Sequence, residues 1–228
     1  GQNWTTMFMG AGPDIHGYTE WDSKSPSISY DFQVKNNIFP TIFQVLKEQK
    51  EQSEIGVFFQ WDNIRFFVDT LSCNKICNVV LEQGHDSITD SIKCYIVEKK
   101  PTLCAVVYDD PDHTGHQYGY FSDNYYETLS CLDLCIREIV QATKEAGIYD
   151  NAVFIITSDH GGIGYSHGGD SPDELDTPFL MFGKNVKKTG RIENVLMQYD
   201  IAPIIANLLV LTIPDLWIGD KHPELLGQ

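Results

Sequence analysis

The chain has 228 residues, of which 42% are hydrophobic and 21% are charged, a composition typical of one compact globular domain. Its formal net charge of −16 argues against a nucleic-acid polymer as a partner, because no lysine or arginine cluster is present to neutralise a row of phosphates. No apolar run approaches the roughly 18 residues of a membrane span. We therefore expect no span in this chain, and its compartment (cytoplasmic or secretory and lysosomal) and oligomeric state stay open.

Strand and helix patterns alternate along the chain, which predicts an α/β fold with a mainly parallel central sheet and helices on both faces. The apolar spacing predicts helices at residues 3–9, 40–49, 86–97, 118–146 and 199–209, with Gly10 and Gly147 as terminators. Short β-branched and aromatic runs predict strands at residues 55–61, 103–108, 152–157 and 178–182. The runs at 103–108 and 152–157 are expected to be buried parallel strands.

Six cysteines are spread over the middle of the chain, and two pairs of them are spaced i, i+4: Cys73, Cys77, Cys94, Cys104, Cys131 and Cys135. Neither pair accompanies a histidine in a metal-ligand pattern, so we interpret all six as buried free thiols. Disulfides are the alternative.

Two polar clusters follow the strands predicted at 103–108 and 152–157. Tyr108 to Gly119 reads Y-D-D-P-D-H-T-G-H-Q-Y-G, and Thr157 to Gly162 reads T-S-D-H-G-G. Because the carboxyl ends of parallel strands line the ligand crevice of an open α/β sheet, we expect both clusters to form one site. Carboxylate and imidazole ligands together suit zinc or a similar divalent ion. The predicted metal ligands are Asp112, His116, Asp159, His160 and His167.

Spacing separates these candidates from their neighbours. Asp112 and His116 are four residues apart, which places both side chains on one face of a helical turn, whereas His113 points away from that face. Asp109 and Asp110 compete as ligands, but we interpret them as strand-end groups that support the ligands. A single histidine in a loop is more often solvated than metal-bound, so the prediction depends on the cluster as a whole.

These residues, in this order, resemble the alkaline-phosphatase-like superfamily, most closely its type I phosphodiesterase/nucleotide pyrophosphatase branch, over nearly the whole chain. Pro111, Asp112, Gly115, His116 and Gly119 match the loop P-D-x-x-G-H-x-x-G, which carries two ligands of one zinc site in that branch. The D-H-G motif of the second site matches Asp159, His160 and Gly161, and His167 matches the histidine that completes the first site. Asp14, His16 and Gly17 match a segment that we interpret as structural.

The resemblance also implies groups outside this chain. The family nucleophile, a serine or threonine, lies three residues before an asparagine that opens a short helix. Asn3 is that asparagine, so the nucleophile falls immediately before Gly1. An aspartate of the second metal site is expected a few tens of residues earlier. We therefore expect residues 1–228 to form a single catalytic domain without its N-terminal strand and nucleophile segment.

The resemblance implies a two-zinc hydrolase of phosphodiester or pyrophosphate bonds, acting on a small-molecule phosphate ester, with Asn3 donating to a phosphate oxygen. A phosphomonoesterase, a phosphomutase and an inactive metal-binding pseudoenzyme are the alternatives. A sulfatase would need the motif C-x-P-x-R, and none of the six cysteines has that context. No arginine lies near the metal motifs, which favours a diester over a dianionic monoester.

Overall fold

A computed structural model describes residues 1–30, 32, 34–188 and 190–227 of the protein. Its α-helices are α1 (Gln2–Met9), α2 (Pro13–His16), α3 (Ile42–Gln49), α4 (Gly84–Lys99), α5 (Asp112–Tyr118), α6 (Asp123–Glu145), α7 (Pro172–Leu175) and α8 (Ile201–Leu208). The strands are β1 (Ile55–Phe59), β2 (Lys75–Asn78), β3 (Leu103–Val107), β4 (Val153–Thr157) and β5 (Phe179–Gly183). All the predicted helices and strands are present within a few residues, and β2 is an element that the sequence pattern did not indicate.

The strands form two sheets. One sheet has the order β2-β1-β3, and β4 pairs with β5 in the other. The β4–β5 pair is antiparallel, with Val153 opposite Gly183 and Thr157 opposite Phe179, and every residue of β4 is partly exposed. The prediction of a buried parallel strand at residues 152–157 was therefore wrong in its direction and its burial. In β3 only Val107 is buried, so the burial predicted for residues 103–108 was wrong for most of that strand as well. An apolar run indicates a strand but does not specify the direction of its partner.

The chain divides into two compact units, each built from separate stretches of sequence. The first unit contains Gly1–Gly56, Asn63–Ile76 and Asn185–Gln228, and the second contains Val57–Asp62 and Cys77–Lys184. All five predicted metal ligands belong to the second unit. The single catalytic domain over residues 1–228 stays a prediction.

The first unit is organised around α1, whose end is set by a glycine. Gly10 has φ +59°, a left-handed conformation that glycine adopts without strain, and its N–H donates to the Thr6 carbonyl. A Cβ at Gly10 would lie 2.8 Å from the Trp217 ring, so the close approach also requires glycine. The Trp217 indole donates to the Pro40 carbonyl at 2.9 Å, which ties the residues after α8 to the start of the α3 segment.

The second unit has its core between α4 and α6. Phe58, Ile88, Ile92, Tyr95 and Ala142 are buried together there. The helical region predicted at residues 118–146 is interrupted after α5, because Gly119 and Phe121 take positive φ values of +95° and +66°. Within α6 Leu132 is buried, whereas Leu129 is 38% exposed. A continuous helical pattern could not indicate the interruption.

All six cysteines are free thiols, as expected, but the prediction that they are buried was wrong for most of them. Only Cys135 is buried, whereas Cys94 on α4 and Cys131 on α6 are exposed. Of the two i, i+4 pairs, Cys131 and Cys135 lie one turn apart on α6, yet the first is exposed and the second is buried. In the other pair Cys77 lies in β2, so that spacing did not indicate a helix. Cys73 and Cys104 are half-buried, and this partial loss of solvation raises the pKa of each thiol to about 12, so both are poor nucleophiles at neutral pH.

Candidate metal centre

Helix α5 supplies the first two predicted ligands. Asp112 is its first residue and His116 follows one turn later, with 3.5 Å between Asp112 Oδ2 and His116 Nε2. The Nδ1 atom of His116 donates to the Tyr165 carbonyl at 2.9 Å. Because Nδ1 carries the proton in this bond, the lone pair is on Nε2, the nitrogen that faces Asp112.

The segment after β4 supplies the next two predicted ligands, Asp159 and His160. His160 Nε2 lies 3.8 Å from Asp112 Oδ1 and 3.5 Å from Asp159 Oδ2. Its Nδ1 donates to the Gly161 carbonyl at 2.8 Å, which again leaves the lone pair on Nε2. A Cβ at Gly161 would lie 2.1 Å from the Asp173 carbonyl oxygen, so this turn can form only with glycine.

His167 reaches the same place from a separate loop. Its Nε2 is 3.6 Å from Asp112 Oδ1, and its ring stacks on that of His160 with the centroids 3.6 Å apart. Asp112, His160 and His167 each offer a ligand atom, and these atoms all lie within 4.8 Å of one another. The five residues that the sequence singled out are therefore neighbours, although up to 55 positions separate them along the chain.

The resemblance assigns Asp112, His116 and His167 to one ion and Asp159 and His160 to another. In the structure Asp112 lies beside both groups, since its carboxylate oxygens face three histidines. The three residues whose ligand atoms all lie within 4.8 Å of one another, Asp112, His160 and His167, come from both assignments. Which residue binds which ion stays a prediction.

The electrostatics of the cluster suit a cation. Burial raises the pKa of Asp159, and the nearby Asp112 carboxylate raises it further. Burial lowers the pKa of His167, and the neighbouring His160 acts in the same direction, which favours the neutral form that binds metals. Clustered carboxylates and imidazoles, two of which have their tautomer set by a backbone carbonyl, form a donor set that fits zinc.

Asp110 supports the cluster, as expected, by holding the start of α5, the helix that carries Asp112 and His116. It is 9% exposed and accepts the N–H and Oγ–H of Thr114 at 2.9 and 2.7 Å, which holds the first turn of α5. Its other oxygen is 3.1 Å from His85 Nε2. Burial raises the pKa of Asp109, and the Asp112 carboxylate adds to that rise.

Three further residues near the site were missed by sequence reasoning. His85 contacts Asp110, the Tyr120 hydroxyl donates to Asp112, and Glu174 accepts from Gly169 N at 2.8 Å and from Ser171 Oγ at 2.6 Å. Glu174 thereby fixes the loop that follows His167. None of the three belongs to a recognisable motif, and their contacts depend on how α4, the turn between α5 and α6, and α7 pack.

Asn3 lies in the first turn of α1, in the first unit, and its role as a phosphate donor stays a prediction. Thr5 and Thr6, which follow it on the same helix, each have a hydrogen-bond partner. Thr5 Oγ1 donates to the Gly1 carbonyl at 3.0 Å, and Thr6 Oγ1 is 3.1 Å from His16 Nε2. His16 is fully buried, and burial lowers its pKa to about 4, which makes it a neutral structural residue.

Across the described parts of the chain, every helix is too short or too polar to cross a membrane.

Several known proteins are similar to this chain in sequence or in structure. GPI ethanolamine phosphate transferase 3 of Eremothecium gossypii is 32% identical over 128 residues, which are 50% of this chain and 12% of that protein. The chain thus spans only a small part of the length of the curated relatives it matches.

Two solved structures have a similar fold. A 2-O GAG sulfatase superposes on 98% of this chain and 63% of its own with a TM-score of 0.71 and 14% identity. The murine ectonucleotide pyrophosphatase / phosphodiesterase 5 matches 70% of this chain and 45% of its own with a TM-score of 0.53 and 20% identity. These likenesses confirm the predicted alkaline-phosphatase-like α/β fold with a parallel sheet flanked by helices.

A sequence profile described as type I phosphodiesterase / nucleotide pyrophosphatase matches residues 2–207. This range begins within α1, includes every candidate ligand and ends within α8. The match agrees with the resemblance read from the metal motifs, and it extends over far more than half of the sequence. The chain therefore belongs to the type I phosphodiesterase / nucleotide pyrophosphatase family.

Proposed function

We propose that this chain is the metal-binding part of an enzyme that cleaves phosphodiester or pyrophosphate bonds, with a serine or threonine directly before Gly1 as the nucleophile. The main support is the convergence of Asp112 with the Nε2 atoms of His116, His160 and His167, at 3.5 to 3.8 Å. Two of these imidazoles have their tautomer fixed by backbone carbonyls, a feature expected of metal ligands.

Asp112, His116 and His167 would hold one divalent ion, and Asp159 and His160, with the aspartate expected upstream, would hold the other. Zinc is the ion that best suits these donors. When bound, two such ions neutralise charge on the attacking and leaving oxygens of an in-line displacement.

The reaction would use one group outside this chain and one within it. The hydroxyl expected before Gly1 would form an oxygen–phosphorus bond as the bond between phosphorus and the leaving-group oxygen breaks, and its proton would pass to that departing oxygen; water or another hydroxyl would later release the phosphoryl group from the enzyme. Asn3, in the first turn of α1, would donate to a non-bridging phosphate oxygen, where backbone N–H groups and the helix dipole also favour an anion.

Charge favours a diester substrate. Three basic side chains of the second unit have partners of their own: Lys93 binds Glu138 at 2.7 Å, Lys184 binds Asn151 at 2.5 Å, and Arg137 lies 3.5 Å from Asp133. A diester monoanion needs only the ions and Asn3 for neutralisation, whereas a monoester dianion needs a further cation. This argument favours a diesterase over the phosphomonoesterase alternative.

The names of the relatives favour a second candidate, transfer rather than hydrolysis. Several of them are called GPI ethanolamine phosphate transferases. In such a reaction a hydroxyl of the acceptor, instead of water, would take the phosphoryl group from the enzyme. The metal cluster and the nucleophile would have the same roles in both reactions.

The substrate class can be tested with chromogenic esters. A protein that carries this chain together with its upstream nucleophile should cleave a nitrophenyl nucleotide diester at least about tenfold faster in kcat/KM than nitrophenyl phosphate, a difference of about 1.4 kcal/mol. Asn3→Ala should slow the diester reaction about 10²–10³-fold, as expected for loss of one oxyanion donor. Both substrates are measured at saturating zinc.

Three outcomes distinguish the alternatives. Equal rates, or a faster monoester, would refute the diesterase assignment. Stoichiometric zinc without turnover of either ester would identify a pseudoenzyme. For the second candidate, a phosphoethanolamine diester is supplied with and without a glycan alcohol, and mass spectrometry of the products separates transfer from hydrolysis.

A further inference from the structure

Tyr120 lies next to the candidate ligands and contacts one of them, Asp112. Its side chain is 9% exposed, and its hydroxyl donates a hydrogen bond to Asp112 Oδ1. We propose that Tyr120 is a positioning residue of the metal centre. It orients the Asp112 carboxylate and connects α5, which carries His116, with the segment that carries His160 and His167. This inference rests on the proposed metal-dependent function.

Two glycines make room for the Tyr120 ring. A Cβ at Gly115 would lie 2.8 Å from Cζ of the ring, and a Cβ at Gly162 would lie 2.2 Å from Cε1. Gly115 immediately precedes His116, and Gly162 follows His160 by two residues. The ring is thus packed between both ligand-bearing segments, and neither segment could carry a larger residue without displacing it.

The backbone of Tyr120 makes the same connection. Its N–H donates to the Gly164 carbonyl at 2.7 Å, in the loop that leads to His167. The preceding residue, Gly119, has φ +95°, which turns the chain from α5 toward this contact. Side chain and backbone together link Asp112 to the loop between His160 and His167.

The hydrogen bond acts on the ligand that the cluster shares. Asp112 Oδ1 is the atom that lies 3.8 Å from His160 Nε2 and 3.6 Å from His167 Nε2. Fixing this oxygen fixes the direction of the whole carboxylate, including Oδ2 beside His116. Outer hydrogen-bond partners of metal ligands typically change metal affinity by about 10–100-fold when they are removed.

Tyr120→Phe tests the proposal, because it removes the hydroxyl and keeps the ring between the glycines. Zinc titrated calorimetrically into the chain should bind about 10–100-fold more weakly in the variant. The visible absorption spectrum of the Co²⁺-loaded chain should change as well, while the melting temperature of the metal-free chain should not. Tyr126→Phe, at a phenol that is 53% exposed, is the matched control and should leave all three measurements at their wild-type values.

Gly162→Ala provides a second test through a different atom. Its Cβ would displace the Tyr120 ring, so adding Tyr120→Phe to Gly162→Ala should cost little further zinc affinity. Zinc affinity of Tyr120→Phe within twofold of wild type, additive losses in the double variant, or a wild-type chain that binds no zinc would each overturn the proposal. None of these readouts requires turnover, so a chain that passes them but cleaves no ester would refute only the proposed function.

Discussion

His222 is a buried imidazole between two carboxylates of the first unit. Its Nε2 is 3.1 Å from Asp200 Oδ2 and its Nδ1 is 2.9 Å from Glu224 Oε1. Burial by itself would lower the pKa of His222, but the hydrogen bonds to Glu224 and Asp200 raise it above its ordinary value. The hydrogen bond from His222 in turn lowers the pKa of Glu224 to about 2.

These opposite shifts predict how stability depends on pH. The raised pKa of His222 gives a contribution that is complete below its unfolded value of 6.5 and is lost as pH rises through the folded value. The lowered pKa of Glu224 gives a contribution that is complete above 4.5 and is lost as pH falls toward 2. The cluster should therefore stabilise the fold most between these two unfolded values.

Urea unfolding of the metal-free chain, followed from about pH 5 to about pH 9, measures this dependence. The free energy of unfolding should fall above neutral pH in the wild type, and His222→Gln should flatten that fall. An identical slope in His222→Gln would show that other groups are responsible.

At the level of elements, the turn between α5 and α6 contains a helix cap that lies close in sequence to Tyr120, the proposed positioning residue of the metal centre. Ser122 is the N-cap of α6, and its Oγ accepts from the Tyr125 N–H at 3.3 Å. This cap starts the longest helix of the chain just after Tyr120, so it helps to set where that ring lies.

Ser122→Ala should lower the free energy of unfolding by about 1 kcal/mol, the usual effect of losing a serine N-cap. Ser130→Ala is the matched control, because Ser130 lies inside the same helix and donates to the Tyr126 carbonyl. Alanine has the higher helix propensity there, so this variant should be neutral or slightly stabilising. Equal losses in the two variants would contradict the capping role.

At the level of the whole molecule, the candidate ligands come from three separate segments of the second unit: α5, the turn after β4 and the loop that precedes α7. The affinity for metal therefore depends on the folded unit rather than on any one motif. We expect the folded chain to bind zinc through these residues.

Zinc titration with His167→Ala tests this expectation. The variant loses a predicted ligand, so its zinc affinity should fall by more than the roughly 100-fold that loss of an outer partner can cause. His113→Ala, on an exposed residue of the same α5 helix as Asp112, should bind as the wild type does. A normal affinity in His167→Ala would remove His167 from the site and leave Asp159 and His160 as candidates.

The sequence by itself determined the family, the α/β order of elements and the identity of the clustered residues. It could do so because glycine-bounded D-x-x-x-H and D-H-G patterns report local chemistry, and apolar periodicity reports local structure. Asp112, His116, Asp159, His160 and His167 were all named from such patterns, and the structure brings them together.

Only the tertiary structure decided features that depend on contacts between distant segments. The antiparallel pairing of β4, the exposure of Cys94 and Cys131, and the hydrogen bond from Tyr120 to Asp112 had no sequence signal. The direction of a strand relative to its neighbour depends on which strand it pairs with. The exposure of a residue on a helix depends on which face of that helix packs against the core. Tyr120 meets Asp112 only because Gly115 of α5 and Gly162 of the segment after β4 leave space for its ring.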